Sequence, residues 1–181
     1  MPAQFYRNIG KGRFAQIPSA DAGDFFRQKY AARALAKLDW NHDGLADFVI
    51  SNIGAPAVLV TNVSPVAGHQ ITFALHGTRS AREPIGTIIT VETDKGSWTK
   101  QLTAGDGFQA SNERVVQFGL GPSTTINSVE ISWPSGEKTS LTELDMDTTL
   151  HVVEGATATR STVQKSAIKE SAAPRGNAGE P

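Results

Sequence analysis

The sequence contains no cysteine among its 181 residues. Disulfide bonds, thiolate metal sites and cysteine nucleophiles are therefore excluded. No apolar run approaches the roughly 18 residues that a membrane-spanning helix requires. The formal charge is only -1, which argues against a protein that binds nucleic acid through its phosphates. The length allows one domain, or one domain and part of another.

The small net charge hides an uneven distribution along the chain. Residues 1–38 hold seven basic and two acidic side chains, and residues 155–181 hold four and two. The middle, 39–154, holds six basic and fourteen acidic side chains, which gives it a net charge of -8. An acidic folded region attracts cations and repels nucleic acid. The folded part is therefore expected to bind cations rather than nucleic acids.

The two ends of the chain carry few structural signals. The first residues lack a basic segment followed by an apolar stretch, so we expect no secretory signal peptide here. Either the protein stays inside the cell or its true start lies elsewhere. Residues 155–181 hold only two large apolar side chains, Val163 and Ile168. Because they bury too little surface to offset chain entropy, we predict a disordered tail, with a short helix around 163–172 as the alternative.

From residue 48 onward, short apolar runs alternate with turn-forming Gly, Pro, Asn and Asp. Each run is rich in β-branched or aromatic residues and suits a strand of about five residues. The runs are 48–50, 58–60, 71–75, 88–91, 115–118, 129–133 and 150–153. Strands spaced this closely predict an all-β sandwich or barrel rather than βαβ units.

One segment, 24–38, fits two structures. It is rich in Ala and suits a helix with Asp24 as its N-cap. Its second half also alternates, with Leu35 between two alanines. Because this half leads into a loop followed by a strand, we predict a strand for Ala32–Leu38.

The strongest chemical signal is the segment 39–47, DWNHDGLAD. Calcium takes six to eight oxygen ligands, and alternate residues of a tight loop point toward the same ion. Gly44, the sixth residue, permits the positive φ angle of the turn. The carbonyl of Leu45 supplies a ligand at the seventh position. The side chains that offer oxygen at the first, third, fifth and ninth positions are Asp39, Asn41, Asp43 and Asp47.

These features predict a calcium loop that links two strands rather than an EF-hand. An EF-hand needs a bidentate glutamate at its twelfth position, where this chain has Ile50. The alternative is an Asx-rich turn without an ion, since Asp, Asn and Gly favour turns in any case. Three carboxylates within nine residues repel one another unless a cation lies among them, which favours calcium.

A second candidate site is the loop 105–109, GDGFQ. It combines flexible backbone with a carboxylate, an aromatic ring and an amide, a mixture common in carbohydrate and peptide contacts. The candidate contacts are Arg82 of a neighbouring polar loop, Asp106, Phe108 and Gln109. The alternative is a β-turn that buries Phe108 in the core. No spacing selects a pair of carboxylates for glycoside hydrolysis, so no catalytic residue is predicted.

Two parts of the chain resemble known families. The calcium loop, followed by FVISN at 48–52 and AVLVTN at 57–62, resembles an FG-GAP or VCBS repeat of the integrin-α-like β-propellers. Residues 5–14 resemble the end of a preceding repeat. The following stretch resembles, in order and spacing, the ASPIC/UnbV domain that succeeds such repeats in many bacterial secreted proteins. The segments that carry this second resemblance are 75–77, 80–86, 103–111, 116–121 and 129–136.

The resemblance implies an all-β protein in two parts with a disordered tail. Residues 1–66 form a partial β-propeller of one to two blade units, residues 67–154 form a small β-sandwich-like domain, and 155–181 form the tail. It also implies an extracellular or periplasmic protein that binds Ca²⁺ and acts in adhesion, with a protein or glycan partner at a cell surface. We expect the remainder of the propeller to be missing from this chain.

Two other functions stay open from the sequence. One is an extracellular hydrolase of a polysaccharide or ester, with Asp106 in its site. The other is a purely structural cap on a propeller. Because the sequence contains no catalytic constellation, a binding module without enzymatic activity is the preferred interpretation.

Overall fold

The computed structural model describes residues 3–65, 68–156 and 159–162. Over these ranges the chain is all-β, as predicted, and its two helical elements have four residues each. No helix in the described part is long and apolar enough to cross a membrane. The strands are β1 (Phe5–Gly10), β2 (Arg13–Ile17), β3 (Ala32–Leu38), β4 (Asp47–Asn52), β5 (Val58–Val60), β6 (His69–His76), β7 (Ile88–Thr93), β8 (Gly96–Gln101), β9 (Val115–Gly121), β10 (Ile126–Ser132), β11 (Lys138–Leu141), β12 (Thr148–Val153) and β13 (Thr159–Thr162).

The described strands form four sheets. β1 and β2 make an isolated hairpin, and β3, β4 and β5 make a three-stranded antiparallel sheet. The other two sheets have four strands each, in the orders β11-β10-β7-β8 and β13-β12-β6-β9. All pairings are antiparallel except that of β6 with β12, which run parallel with Ile71 opposite Thr148.

The two four-stranded sheets share one hydrophobic core and together form a β-sandwich. Alternate residues of each strand point into it, so Ile71, Phe73 and Leu75 of β6 are all buried. The rings of Phe73 and Phe118 meet edge to face with centroids 5.9 Å apart. Trp133 is 3% exposed and closes the core where β10 ends. Apart from Ile50 of β4, the buried apolar side chains of the described residues thus lie in the C-terminal part of the chain.

The ambiguous segment 24–38 resolves into two pieces. Residues Asp24–Arg27 form one 3₁₀ turn, and Ala32–Leu38 form β3, so the strand prediction is confirmed. The aromatic rings of the turn explain why the helix does not continue. Phe25 stacks on Tyr30 at 4.8 Å and meets Phe48 of β4 edge-on at 5.4 Å. Tertiary contact of these rings with the sheet overrides the helix propensity of the alanines.

Three strands of the sandwich, β8, β11 and β13, lie outside the predicted apolar runs. β11 is a polar edge strand, KTSL, and carries no apolar run that would identify it. β13 falls inside the predicted tail and pairs antiparallel with β12, with Thr159 opposite His151. The folded part therefore extends a few residues past the predicted boundary at 155. Residues 163–181, including the alternative helix at 163–172, lie outside the described residues.

Candidate metal centre

The segment 39–47, here named the carboxylate loop, joins β3 to β4. Both carboxylate oxygens of Asp39 accept backbone hydrogen bonds, from the N–H of Asp43 at 3.1 Å and of Gly44 at 2.9 Å. Gly44 has a φ of 83°, the positive angle that the sequence predicted for the turn. His42 also has a positive φ, of 55°, and its side chain is exposed. The loop therefore curls back on its first carboxylate.

Further hydrogen bonds hold the middle of the loop. The Oδ1 atom of Asp43 accepts the N–H of Leu45 at 2.8 Å, and its Oδ2 atom accepts a hydrogen bond from Nδ2 of Asn41 at 2.8 Å. The Oδ1 atom of Asn41 accepts the N–H of Asp43 at 3.3 Å. These are the contacts of an Asx-rich turn. They place the predicted ligand residues in one short loop.

Asp47 ends the carboxylate loop and is completely buried. Its Oδ1 atom accepts the N–H of Asn62 at 2.7 Å, and its Oδ2 atom accepts the N–H of Trp40 at 3.2 Å. One carboxylate thus ties the start of the loop to the chain that leaves β5. Burial raises the pKa of Asp47, and repulsion from Asp43 and Asp39 adds to this effect, against the two backbone hydrogen bonds.

Within the described part of the chain, the carboxylates of the loop form no ion pair with a lysine or arginine. Burial is also the largest influence on the pKa of the Asp39 carboxyl and raises it. The negative charge of Asp43 raises this pKa further. The loop therefore concentrates negative charge, which backbone N–H groups offset in part and a bound cation would neutralise.

The donor chemistry of the loop fits calcium. The available atoms are carboxylate oxygens, the amide oxygen of Asn41 and the carbonyl of Leu45, and hard oxygen ligands suit Ca²⁺ rather than zinc. Over the described ranges, no three Asp, Glu or His side chains converge as a metal-ligand group. The carboxylates point instead at backbone N–H groups. Each such oxygen keeps a second lone pair that remains available to a cation.

The carboxylate loop lies directly against the sandwich. The carbonyl oxygen of Gly44 accepts a hydrogen bond from Nε2 of Gln117 at 2.6 Å. A Cβ atom at position 44 would lie 2.6 Å from Nε2 of Gln70. Gln70 and Gln117 lie on β6 and β9 and alternate with buried residues, so both project from the outer face of that sheet. The positive φ of Gly44 favours glycine in the turn, and a Cβ there would displace the end of the Gln70 side chain.

A second contact covers the free edge of β3. The N–H of Lys37 donates to Oδ1 of Asn112 at 2.8 Å, and the N–H of Glu113 donates to the carbonyl of Lys37 at 2.9 Å. The Oε2 atom of Glu113 accepts the N–H of Asp39 at 3.1 Å. Residues that precede β9 therefore pair with the edge strand of the three-stranded sheet. The two predicted parts of the chain are joined by polar contacts at two places.

The candidate loop 105–109 is exposed and belongs to this junction. Asp106 accepts a hydrogen bond from Nδ2 of Asn112 at 2.7 Å and lines a cleft of about 110 Å³ between β3 and the sandwich. Phe108 is 59% exposed, with the guanidinium of Arg33 4.6 Å from its ring centroid. The alternative that buried Phe108 in the core is therefore wrong. Gln109 is exposed and has a φ of 52°.

Arg82 does not join these residues at the cleft. Its side chain is exposed and is not part of the cleft lining. Arg114 links the two polar loops instead: its Nε donates to Glu83 at 3.2 Å, and its Nη1 donates to the carbonyl of Asn112 at 3.4 Å. The loops are neighbours, but the connection runs through a residue that the sequence did not single out.

Glu154, which the sequence reasoning missed, is the most heavily bonded carboxylate of the sandwich. Its side chain collects hydrogen bonds from one loop and one turn, although the residue is only 2% exposed. Oε2 accepts the N–H groups of Thr78 at 2.9 Å, Arg79 at 2.8 Å and Ser80 at 2.7 Å. Oε1 accepts the hydroxyls of Ser80 at 2.8 Å and Ser135 at 2.5 Å. Three successive N–H groups thus form a nest around one oxygen.

The electrostatics of Glu154 favour the ionised form. Burial is the largest influence and opposes ionisation, but the hydrogen bonds from Ser135, Ser80 and Thr78 together outweigh it and lower the pKa to about 2. The alternation of buried and exposed residues along β12 could have indicated this site from the sequence. Leu150 and Val152 point into the core, and the next residue in that register is Glu154.

Residues 77–159 match the family model described as ASPIC and UnbV. A search among curated proteins finds no match. The matched part runs from the loop that follows β6 to the first residue of β13, so it comprises the Glu154 site and nearly all of the sandwich. Residues 77–159 are therefore similar to the ASPIC/UnbV family, and the described residues of this segment form an all-β fold. The sandwich itself begins earlier, because β6 lies between β12 and β9 at the centre of its sheet.

Proposed function

We propose that this chain is a calcium-stabilised binding or adhesion module of a secreted protein. The observation that carries the proposal is the carboxylate loop, in which Asp39, Asp43 and Asp47 gather without an ion-paired Lys or Arg in the described part of the chain. Asn41 and the carbonyl of Leu45 complete an oxygen-only ligand set. When bound, Ca²⁺ neutralises this charge and fixes the connection between β3 and β4, so its role is structural.

We further propose that the N-terminal sheets belong to a larger integrin-like propeller of FG-GAP or VCBS repeats. Their apolar side chains support this, because several in β1 and β2 are half or more exposed: Phe5, Tyr6, Ile9 and Phe14 are 51%, 50%, 52% and 63% exposed. A propeller blade buries such faces against neighbouring blades. ASPIC/UnbV domains typically lie at the C-terminal end of integrin-like proteins. In this chain, too, the segment that matches the family follows the N-terminal sheets. An extracellular or periplasmic location follows from this proposal.

Binding is preferred over catalysis because the polar groups of the junction are used in holding it together. Asp106 and Glu113 do line one cleft, and this arrangement makes a hydrolase the second candidate. Each of these carboxylates, however, already accepts a hydrogen bond. Asp106 accepts one from Asn112, and Glu113 accepts one from the N–H of Asp39. Turnover of a panel of polysaccharides and esters, lost in Asp106→Asn, would favour the hydrolase over the binding module.

Calorimetric titration of the full chain with calcium tests the primary proposal. We expect one site per chain with a Kd on the order of 0.1–1 mM, the range of extracellular calcium modules. Asp43→Ala removes one ligand and should abolish the binding. Asp21→Ala is the matched control, because Asp21 is an exposed carboxylate outside the loop. Equal binding by Asp43→Ala and the wild type would exclude the carboxylate loop as the site.

A further inference from the structure

The cleft between β3 and the sandwich has a charged lining that the calcium site does not use. It has a volume of about 110 Å³ and lies where β3, β8 and the segment before β9 meet. We name it the lysine cleft. Four charged side chains and one amide that line the cleft could contact a ligand: Lys37, Lys100, Asp106, Asn112 and Glu113.

The side chains of Lys37 and Lys100 line the same cleft, and neither pairs with a carboxylate among the described residues. Lys100 donates from Nζ to the carbonyl of Gln117 at 2.6 Å and lies 5.3 Å from the ring centroid of Phe118. Burial lowers the pKa of Lys100, and the charge of Lys37 lowers it further. Like charges held together in this way are stabilised by an anion placed between them.

The other wall of the cleft offers hydrogen-bond acceptors. Oδ2 of Asp106 accepts from Asn112, and Oε2 of Glu113 accepts from the N–H of Asp39. Among the described residues the second oxygen of each carboxylate, Oδ1 of Asp106 and Oε1 of Glu113, receives no hydrogen bond. A ligand that fits both walls must carry an anionic group at one end and hydroxyl donors at the other.

We propose that the lysine cleft binds an anionic carbohydrate unit, a sugar that carries one carboxylate or sulfate. Its anionic group lies between Lys37 and Lys100, and its hydroxyls donate to Asp106 and Glu113. A bare inorganic anion satisfies only the lysines, and a neutral sugar satisfies only the carboxylates. The proposal rests on the binding role proposed above and names its ligand class. Among the described contacts, the cleft meets the predicted calcium ligands Asp39, Asn41, Asp43, Leu45 and Asp47 through the N–H of Asp39, which donates to Oε2 of Glu113.

The test is a calorimetric or NMR titration of the full chain with glucuronate, glucose 6-sulfate and the neutral methyl glucoside. We expect saturable binding of at least one of the two acids, and the tighter of the two identifies the anion. The neutral sugar should bind at least roughly tenfold more weakly, since it lacks the charge-assisted hydrogen bonds. Equal binding of methyl glucoside, or no binding of either acid up to about 10 mM, would overturn the proposal.

Variants assign the binding to the cleft. Lys37→Gln should weaken binding of the acid by roughly tenfold or more, and it leaves the fold intact because its ammonium forms no hydrogen bond in the described structure. Lys100→Gln should act in the same direction, with thermal melting as the check on its packing against Phe118. Lys95→Gln is the matched control, because Lys95 precedes the opposite end of β8 and pairs with Asp94 at 3.1 Å.

If Lys37→Gln and Lys95→Gln weaken binding of the acid equally, the effect is one of general charge. That result would overturn the proposal that the lysine cleft is the binding site. The outcome is separable from that of the calcium proposal. If calcium binds and requires Asp43 while the acids do not bind, only the cleft proposal fails. If the acids bind in a Lys37-dependent manner without any calcium binding, the cleft stands and the role of the carboxylate loop fails.

Discussion

Gly44 and Gln117, 73 residues apart in the chain, meet through a 2.6 Å hydrogen bond from the glutamine Nε2 to the glycine carbonyl. This bond joins the carboxylate loop to β9 of the sandwich. The loop therefore has two roles in the proposed account, since it gathers the calcium ligands and also forms part of the junction between the two sheet systems. Ordering of the loop by an ion is expected to order this junction as well.

The first prediction concerns Gln117→Ala. Loss of the bond to Gly44 should cost about 1 kcal/mol, a typical value for one hydrogen bond, and should loosen the carboxylate loop. Hydrogen exchange at the amides of 43–47 should become faster. Gln101→Ala is the control, because its Nε2 donates to the carbonyl of Gly86 within the sandwich. If both variants leave exchange in 43–47 unchanged, the bond to Gly44 does not hold the loop.

The second prediction compares two glycines with similar backbone angles. Gly44 has a φ of 83° and Gly54 a φ of 70°, so an alanine at either position carries the left-handed strain of roughly 1–2 kcal/mol. A Cβ at position 54 meets nothing within 4 Å, whereas one at 44 displaces Gln70. Gly44→Ala should therefore lower the free energy of unfolding more than Gly54→Ala in urea denaturation. Equal losses would mean that Gln70 moves away at no cost.

The third prediction concerns Glu154→Gln. The amide has one oxygen where the carboxylate has two, so at least one of the hydroxyl or backbone donors in the Glu154 site loses its acceptor. We expect the melting temperature to fall by about 5 °C or more. Glu130→Gln, which removes an exposed carboxylate paired with Lys138 at 3.0 Å, should change it little. If the melting temperature of Glu154→Gln falls no further than that of Glu130→Gln, the hydrogen bonds to Glu154 do not stabilise the fold.

The same site predicts a pH dependence. The folded pKa of Glu154 is about 2, below the ordinary value of 4.5, so its contribution to stability is complete above pH 4.5 and is lost as the pH falls toward 2. The melting temperature of the wild type should therefore fall more steeply between pH 5 and pH 2 than that of Glu154→Gln. Parallel curves for the two proteins would contradict the low pKa.

Alternation of apolar residues was the part of the sequence that predicted the fold well. It predicted the core strands β6, β7, β9, β10 and β12, because each buries one face in the sandwich. It missed β11, whose polar edge position needs no apolar run. The 3₁₀ turn and strand within 24–38 were harder, since ring packing against Phe48 decides between helix and strand there. Local pattern was sufficient only where burial alone determines structure.

The sites were less accessible from sequence than the strands. The sequence could indicate the carboxylate loop as a candidate site because its residues are contiguous. The lysine cleft joins Lys37 to residues more than sixty positions away, and no local pattern indicates that meeting. The alternative to a binding loop at 105–109 was a turn that buries Phe108 in the core. The ring of Phe108 is instead exposed, with the guanidinium of Arg33 over it. Glu154 had a local signal in the register of β12, but an acidic residue at a buried position is normally read as a strand end.

The melting temperature of the full chain with and without calcium tests the central claim most directly. At a calcium concentration one hundred times the Kd, binding to the folded state alone adds about 2.7 kcal/mol, which corresponds to a rise of roughly 5–10 °C for a chain of this size. The account predicts this rise for the wild type and for Asp21→Ala, and none for Asp43→Ala. An unchanged melting temperature in the wild type at saturating calcium, or an equal rise in Asp43→Ala, would contradict it.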